Sequence, residues 1–403
     1  MDLVLRPYRE LAGIPHLPST LLWSLIGRAH LPATPLAVSF LVVGWTGSYV
    51  SAGVVGGAIT LGMGVASPLR GRAADRSPAS RLLLVTSASY AAGVGLLGLL
   101  PSVVPHGWWP VAVLVGFFTG VSTPPVTALS RASYPRLATG AAQHAVYTVE
   151  ASMQEVMYVV GPSLAAVVVA VANAQVALWL CGASAVLGAL GFLAALRRAG
   201  LDRPVPGERT GGRTLVSDGS LLLSFATAGC VVAALVAVDL VIIAWARAAG
   251  SPAAAAVLTA VWGVGSVVGG LVVGGFAGAP RFPRRMVLLA LGFVALVPVL
   301  PPVGGAPGWV VAAVLGVGGL AIAPAIAANN TRISELAPEG RKAEAFGWMG
   351  TFTTAGPALY LPFAGWLLDH LGPAATAGAS GVVALVGAVL ASRVRRSEPA
   401  AVV

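Results

Sequence analysis

The chain has 403 residues, 57% of them apolar and only 9% charged, with a mean hydropathy of +0.87. A soluble chain carries about a quarter charged residues to cover its surface, so these numbers demand a surface that faces lipid and exclude a soluble enzyme or module. The formal net charge of +10 does not mark a nucleic-acid binder, because the arginines fall singly or in twos and threes between long apolar runs.

Residues 1–18 contain Arg6, Arg9, Glu10 and three prolines, and lead straight into an apolar run. Residues 1–19 therefore read as a cytoplasmic N-terminus rather than a cleaved leader. A bilayer core takes roughly 20 apolar residues in helix. On that measure spans fall near 20–46, 50–69, 82–101, 108–129, 141–170 and 174–196, which make a first six-helix bundle over 20–196. A polar cytoplasmic linker, 197–219, follows. Spans near 220–245, 253–278, 286–303, 308–330, 343–368 and 373–392 make a second bundle over 220–392, and 393–403 is a cytoplasmic tail.

Basic residues test this count independently, since cytoplasmic segments collect Lys and Arg. With the N-terminus inside, all of the 24 Lys and Arg residues except Arg28 and Arg247 fall in inside segments. Shifting the count by one helix destroys that partition. The expected fold is all-α, with twelve transmembrane helices in two bundles and both termini cytoplasmic. Trp108, Trp109 and Trp309 fall at outer span starts, where interfacial anchors belong. The 51 glycines suit membrane helices that pack through small residues.

The halves repeat. Gly71 to Arg81 reads GRAADRSPASR between spans 2 and 3, and Gly275 to Arg285 reads GFAGAPRFPRR between spans 8 and 9. Gly161-Pro162 in span 5 matches Gly356-Pro357 in span 11, each after a basic loop (Arg131 and Arg136; Arg332 and Arg341). Six-span repeats are how many transporters build two bundles that rock about a midplane site.

On these residues the sequence resembles the major facilitator superfamily across essentially its whole length. The loop signature is Gly71, Asp75, Arg76 and Arg81. The resemblance implies a cytoplasmic charge latch in which Asp75 pairs across the bundle interface in the outward-open state, so that Asp75 and Arg76 gate rather than bind substrate. The second copy has Ala279 in place of the acid, which implies a one-sided latch. Gly161-Pro162 resembles the family's antiporter motif, in which small residues and a proline bend helix 5, although Ser163, Leu164, Ala165 and Ala166 follow where glycines are usual. Drug–proton antiporters of the family carry an Arg inside span 4, and 108–129 has no charge. Family members usually work as monomers, which is the expectation here.

A carboxylate at the bilayer centre costs about 2.5–3.5 kcal/mol on insertion scales, so acids deep in spans are functional candidates. They are Glu150 and Glu155 in span 5 and Asp239 in span 7. Glu150 lies about 14 Å and Glu155 about 21 Å along a helix starting near Ala141, and five residues turn the two about 140° apart. In hydrocarbon a carboxyl favours its neutral form, which suits proton carriage. Glu155, with Tyr158 three residues on, is taken as the proton- or substrate-coupling residue, against the alternative of a protonated packing group. Glu150 is expected to pair with Arg28 or a basic residue of loop 4, and Asp239 with Arg247. Arg28 is expected to snorkel to the inner interface, although an anionic ligand is the other reading. His144 reads as a solvated helix start, and Asn329 and Asn330 as inter-helix hydrogen-bond groups.

The only lysine, Lys342, follows Arg341, so no phosphate loop exists and active transport must draw on an ion gradient, protons first. Five scattered histidines and two isolated cysteines give no metal-ligand spacing, and neither a cofactor nor an enzyme's cluster of reactive groups is visible. The expected partners are a small-molecule substrate, protons and the lipid bilayer, with no nucleic acid. The expected function is secondary transport in a bacterial-type cell membrane, with export of lipophilic drugs or metabolites preferred because the spans offer few polar ligands. Uptake or facilitated movement of a sugar or organic ion, or a receptor or flippase-like role on the same scaffold, are the alternatives.

Overall fold

A computed structural model of the chain describes residues 10–204, 214–251, 253–274 and 282–394. Among these residues every regular element is helical. The spans are α1 (Leu17–Thr46), α2 (Tyr49–Arg76), α3 (Ala79–Val103), α4 (Pro110–Leu137), α5 (Gly140–Val171) and α6 (Ala174–Arg198). The second half holds α7 (Gly219–Ala248), α8 (Ala253–Gly274), α9 (Phe282–Val299) and α10 (Gly308–Leu336). A last helical run, Lys342–Arg393, is two spans, because Gly372 inside it has φ 85° and ψ −179°. Glycine tolerates that backbone without a Cβ clash, and Pro373 starts the next helix. The run therefore divides into α11 (342–371) and α12 (373–393). Twelve spans return the chain to the face it left, here named the terminal face.

Several spans run further past the apolar core than hydropathy marks. The sequence reading ended span 2 at 69, span 4 at 129 and span 10 at 330, yet the helices continue to Arg76, Leu137 and Leu336. An α-helix satisfies its own backbone groups, so it persists until something stops it. Ser77 is extended before Pro78, whose ring excludes the helical conformation there. The Gly71–Arg76 signature is consequently the last turns of α2 rather than a loop, and Arg81 is in the first turn of α3. The linker residues 205–213 and the second signature copy through Arg281, Ala279 included, lie outside the described residues.

α9 ends as a helix at Val294 and closes with a 3-10 turn over Val297–Val299, and three further spans are interrupted in mid-course. The first section of α1 ends at Ile26, and the second starts at His30. Pro32 stands in the first turn of that second section, where its missing N–H has no helical partner to lose. The first section of α4 ends at Val121 and the second begins at Val126, after Pro124 and Pro125. The carbonyls freed there are covered by Arg70 of α2, whose Nη1 donates to Gly120 and Val121 oxygens at 3.1 Å and to that of Thr123. α10 breaks between Gly319 and Ile322, ahead of Pro324, at the matching place in the second half.

Close helix contacts repeat in the same way. A Cβ on Gly62 or Gly120 would strike the α4 or α2 backbone, and one on Gly265 or Gly269 the α10 backbone. One apolar core, around Val55, Tyr90 and Leu178, belongs to the first half alone, and another, around Val238, Phe293 and Leu315, to the second. The third draws on both, from Leu83, Tyr134 and Tyr147 to Phe225, Phe346 and Met349. It seals the halves together toward the terminal face.

α1 and α6 approach most closely at Gly27 and Gly188, where a Cβ on Gly188 would meet the Gly27 backbone. Gly188→Leu is expected to cost about 1–3 kcal/mol through overpacking, seen as a lower thermal midpoint in detergent. Gly95→Leu is the control, since a Cβ there meets nothing within 4 Å, and it should leave the midpoint unchanged.

Candidate functional site

Charge enters the interior of the first half at the helix interruptions. Arg28 sits in the α1 break, 4% exposed, with Nε donating to the Ser24 carbonyl at 2.9 Å and Nη2 to Ser24 Oγ at 3.0 Å. It does not snorkel, because the break aims it inward at a fully buried carboxylate. Glu150 Oε1 of α5 accepts from Arg28 Nη1 and from Arg131 Nε, the latter at 2.9 Å. Arg131 is 4% exposed and lies in the second section of α4. The expectation of a charge-free span 4, with Arg131 in a loop, is therefore overturned: α4 runs two turns past 129 and carries that arginine inside. Arg131 Nη2 continues to Gln154 Oε1 at 3.2 Å, and its carbonyl accepts from the Tyr147 hydroxyl at 2.8 Å. Two cations thus share one anion, and a single positive charge remains over.

Glu155 faces elsewhere, as the five-residue spacing requires. It stands near the middle of α5, part-buried, with no ion pair or hydrogen bond to any described residue. Its electrostatic neighbour is Asp239 of α7, on the other half. Tyr158 joins this pair, leaning toward Gln154 and lying within the fields of Glu155, Asp239 and Arg131. The expected Asp239–Arg247 bridge does not form. Eight residues separate the two by about 12 Å along the helix, and Arg247 is exposed near the α7 end. Gly161 packs its bare Cα against Pro32 and the Ala29 carbonyl of α1, while Pro162 lies within the unbroken helix α5.

Beyond Gln154, the exposed residues Val156, Val160, Leu164 and Val167 share one face of α5, and exposed Tyr158 stands on another.

The lock joins α2 to the start of α11. Asp75 Oδ1 accepts from the Ala343 N–H at 3.0 Å and Oδ2 from the Glu344 N–H at 2.7 Å. Asp75 therefore caps a helix on the opposite half, where free N–H groups and the helix dipole favour an anion. Gly71 lets the strands of backbone meet, since a Cβ there would strike the Ala343 carbonyl. Arg72, not singled out in the sequence, bridges to Glu344 at 2.8 Å, and Arg341 holds the same carboxylate at 3.0 Å. Arg76 and Arg81 are exposed and bond to nothing across the interface among the described residues.

The second half answers with different chemistry. Arg285 of α9 reaches His144 of α5, with Nη1 3.0 Å from Nε2. His144 is 5% exposed rather than solvated, because its helix start is covered by α9 and α10. The locking is thus two-sided, although the acid is missing from the second copy. Asn329 Oδ1 and Asn330 Nδ2 are buried without hydrogen-bond partners, so the expected inter-helix bonds from those atoms are not made.

Glu150 was expected to pair with Arg28 or a basic residue of loop 4; both bind at once, with Arg131 inside α4, since a carboxylate that deep demands more than one donor. Glu150→Ala is expected to cost about 3–5 kcal/mol by leaving two buried cations uncompensated, measured as thermal stability in detergent. Asp75→Ala removes a cap worth about 1 kcal/mol. It should speed thiol modification of a cysteine replacing Ser334, which is 2% exposed in the closed interface, by several-fold in a chain lacking Cys181 and Cys230.

The sequence profile of the Major Facilitator Superfamily matches residues 19–246 and 237–402. No curated protein sequence matches the chain. Among solved structures, a bacterial homologue of the iron transporter ferroportin in an outward-facing state aligns with TM-score 0.73 at 16% identity, over 93% of this chain and 98% of that one. The human organic anion transporter MFSD10 aligns with TM-score 0.66 at 15% identity, over 95% and 99%. The E. coli fucose:proton symporter FucP aligns with TM-score 0.67 at 13% identity, over 94% and 99%. At these identities the likeness concerns the fold, and the family rests on the profile, which spans both six-helix halves: the chain belongs to the major facilitator superfamily, a family of membrane transporters.

Proposed function

We propose that the protein is a proton-coupled secondary transporter that exports small lipophilic compounds, cationic ones foremost, by alternating access. The observation that carries this reading is the pair Glu155 and Asp239. One carboxyl comes from each half, both lie deep in their spans, and neither has a basic partner. Two such groups near each other disfavour double ionisation, so a proton or a cationic substrate relieves them, and a carrier needs that exchange. The scarcity of neutral polar groups elsewhere in the spans supports a lipophilic substrate.

In this reading Glu155, Asp239 and Tyr158 couple and bind, while Glu150 and Arg28 hold the first bundle in shape. Gly71, Asp75, Arg76 and Arg81 belong to the gate, and Gly161 with Pro162 shapes α5 for the rocking motion. The terminal face is cytoplasmic, because it collects the basic residues, and the membrane is a bacterial-type cell membrane. The domain limits follow the sequence reading: bundles over 20–196 and 220–392, flanked by the N-terminal segment, the linker and the tail. The protein acts as a monomer. A second reading is proton-coupled uptake of a small polar solute, favoured by Gln154 and Tyr158 beside Glu155 as neutral hydrogen-bonding groups.

Everted vesicles with an imposed pH gradient test this, using wild type, Glu155→Gln and Asp239→Asn. Lipophilic cations should collapse the gradient through wild type and not through Glu155→Gln. Collapse by sugars alone would support the second reading. Equilibration of labelled compounds with the gradient intact in all three proteins would sink proton coupling and return Glu155 to packing.

A further inference from the structure

His144 lies in the second turn of α5, on the terminal-face side, and both its ring nitrogens bond to the other half of the molecule. Nδ1 stands 3.1 Å from Thr331 Oγ1 of α10, and Nε2 stands 3.0 Å from Arg285 Nη1 of α9. These contacts admit one polarity. A guanidinium only donates, so Nε2 must accept and carry a lone pair. The ring's single proton is then on Nδ1 and is donated to Thr331, whose hydroxyl passes its own to the Ala327 carbonyl at 2.9 Å. The contact is made by a neutral imidazole. An imidazolium would turn N–H against N–H.

The surroundings provide no relief for that added charge. α9 contributes Arg285, also bonded to the Pro324 carbonyl at 3.3 Å. α10 contributes Thr331 and, through Ser334, a bond to Gln143 at 3.3 Å. On α5 the Tyr147 hydroxyl is committed to the Arg131 carbonyl, and Glu150 to Arg28 of α1 and Arg131 of α4. On α11, Glu344 is held by Arg72 and Arg341. Among the described residues, Arg285 is the charged group whose field reaches His144, and it is a cation.

We propose that His144 is a gating residue of the transport cycle: neutral, it bolts α5 to α9 and α10 and keeps the terminal face shut, and proton uptake from that side releases it. A proton that binds the open state better than the closed one shifts the population toward open as pH falls. The position suits the role, because Asp75 and α11 occupy the corresponding place in the other half of the repeat. There a carboxylate cap does the locking; here it is a titratable ring facing a fixed cation. This inference stands apart from substrate identity and from Glu155.

The test reads the gate rather than transport. Spin labels replace the exposed Arg198 of α6 and Glu335 of α10, in a chain lacking Cys181 and Cys230, and distances are measured at about pH 8 and about pH 6, which bracket an ordinary histidine. Wild type should move from a short to a long distance on acidification, with the open-to-closed ratio rising about fourfold, the change one proton on an ordinary histidine of the open state can bring between those values. His144→Gln, whose amide oxygen still accepts from Arg285, should stay closed at both values. Arg285→Gln, which keeps a donor and drops the charge, should show a much smaller shift. A wild type indifferent to pH, or either variant following the wild-type shift, overturns the proposal.

Discussion

A bilayer offers its hydrocarbon no hydrogen bonds, so each interruption of a spanning helix must be satisfied from within the protein. That requirement organises the first half. Where α4 breaks before Pro124 and Pro125, Arg70 covers the exposed carbonyls. Where α1 breaks, Arg28 sits in the gap and bonds back to Ser24. The breaks bring arginines into the interior, and those arginines need an anion. Glu150 supplies it, and in doing so ties α1, α4 and α5 into one rigid unit. Such a cluster is a poor source of net stability, but it fixes orientation, and the orientation of α5 decides where Glu155 points.

With Glu150 turned inward to its own half, Glu155 is turned about 140° away, within the field of Asp239 of the opposite half. The two carboxyls of α5 thus have separate environments on one helix: one compensated by two cations, the other by none. A carrier must hold its halves as solid bodies while leaving a responsive group between them, and this division supplies both from five residues of sequence.

The terminal-face lock follows the six-span repeat in geometry and departs from it in chemistry. In each half the junction of the second and third spans of the repeat reaches the start of the fifth span of the other half, from the end of α2 on one side and the start of α9 on the other. On one side a carboxylate meets backbone N–H groups and Arg72 meets Glu344. On the other Arg285 meets a histidine and a carbonyl. Shared scaffold with divergent side chains gives two contacts of unequal response to charge, and the halves can be released by different signals.

The amino-acid sequence by itself determined the membrane class, the twelve spans, the repeat and the family, because these rest on quantities summed over twenty or more residues: hydropathy, the partition of arginines, and the spacing of Gly71, Asp75 and Arg76. It also separated Glu150 from Glu155 by helical angle, which is a local property. Span ends escaped it, since a helix continues past the hydrocarbon until a stop such as Pro78 intervenes, and the place of Arg131 inside α4 was hidden for that reason. The pair Arg28 with Glu150, 122 positions apart, was expected from buried charge alone as one of two alternatives, but the partner of Asp75 escaped it: Asp75 and the Glu344 N–H lie 269 positions apart, and no periodicity connects residues so far apart. Only the tertiary structure decided that His144 is sealed between halves and that Asp239 makes no bridge to Arg247 and lies within the field of Glu155, because burial and pairing are set by which helices lie side by side.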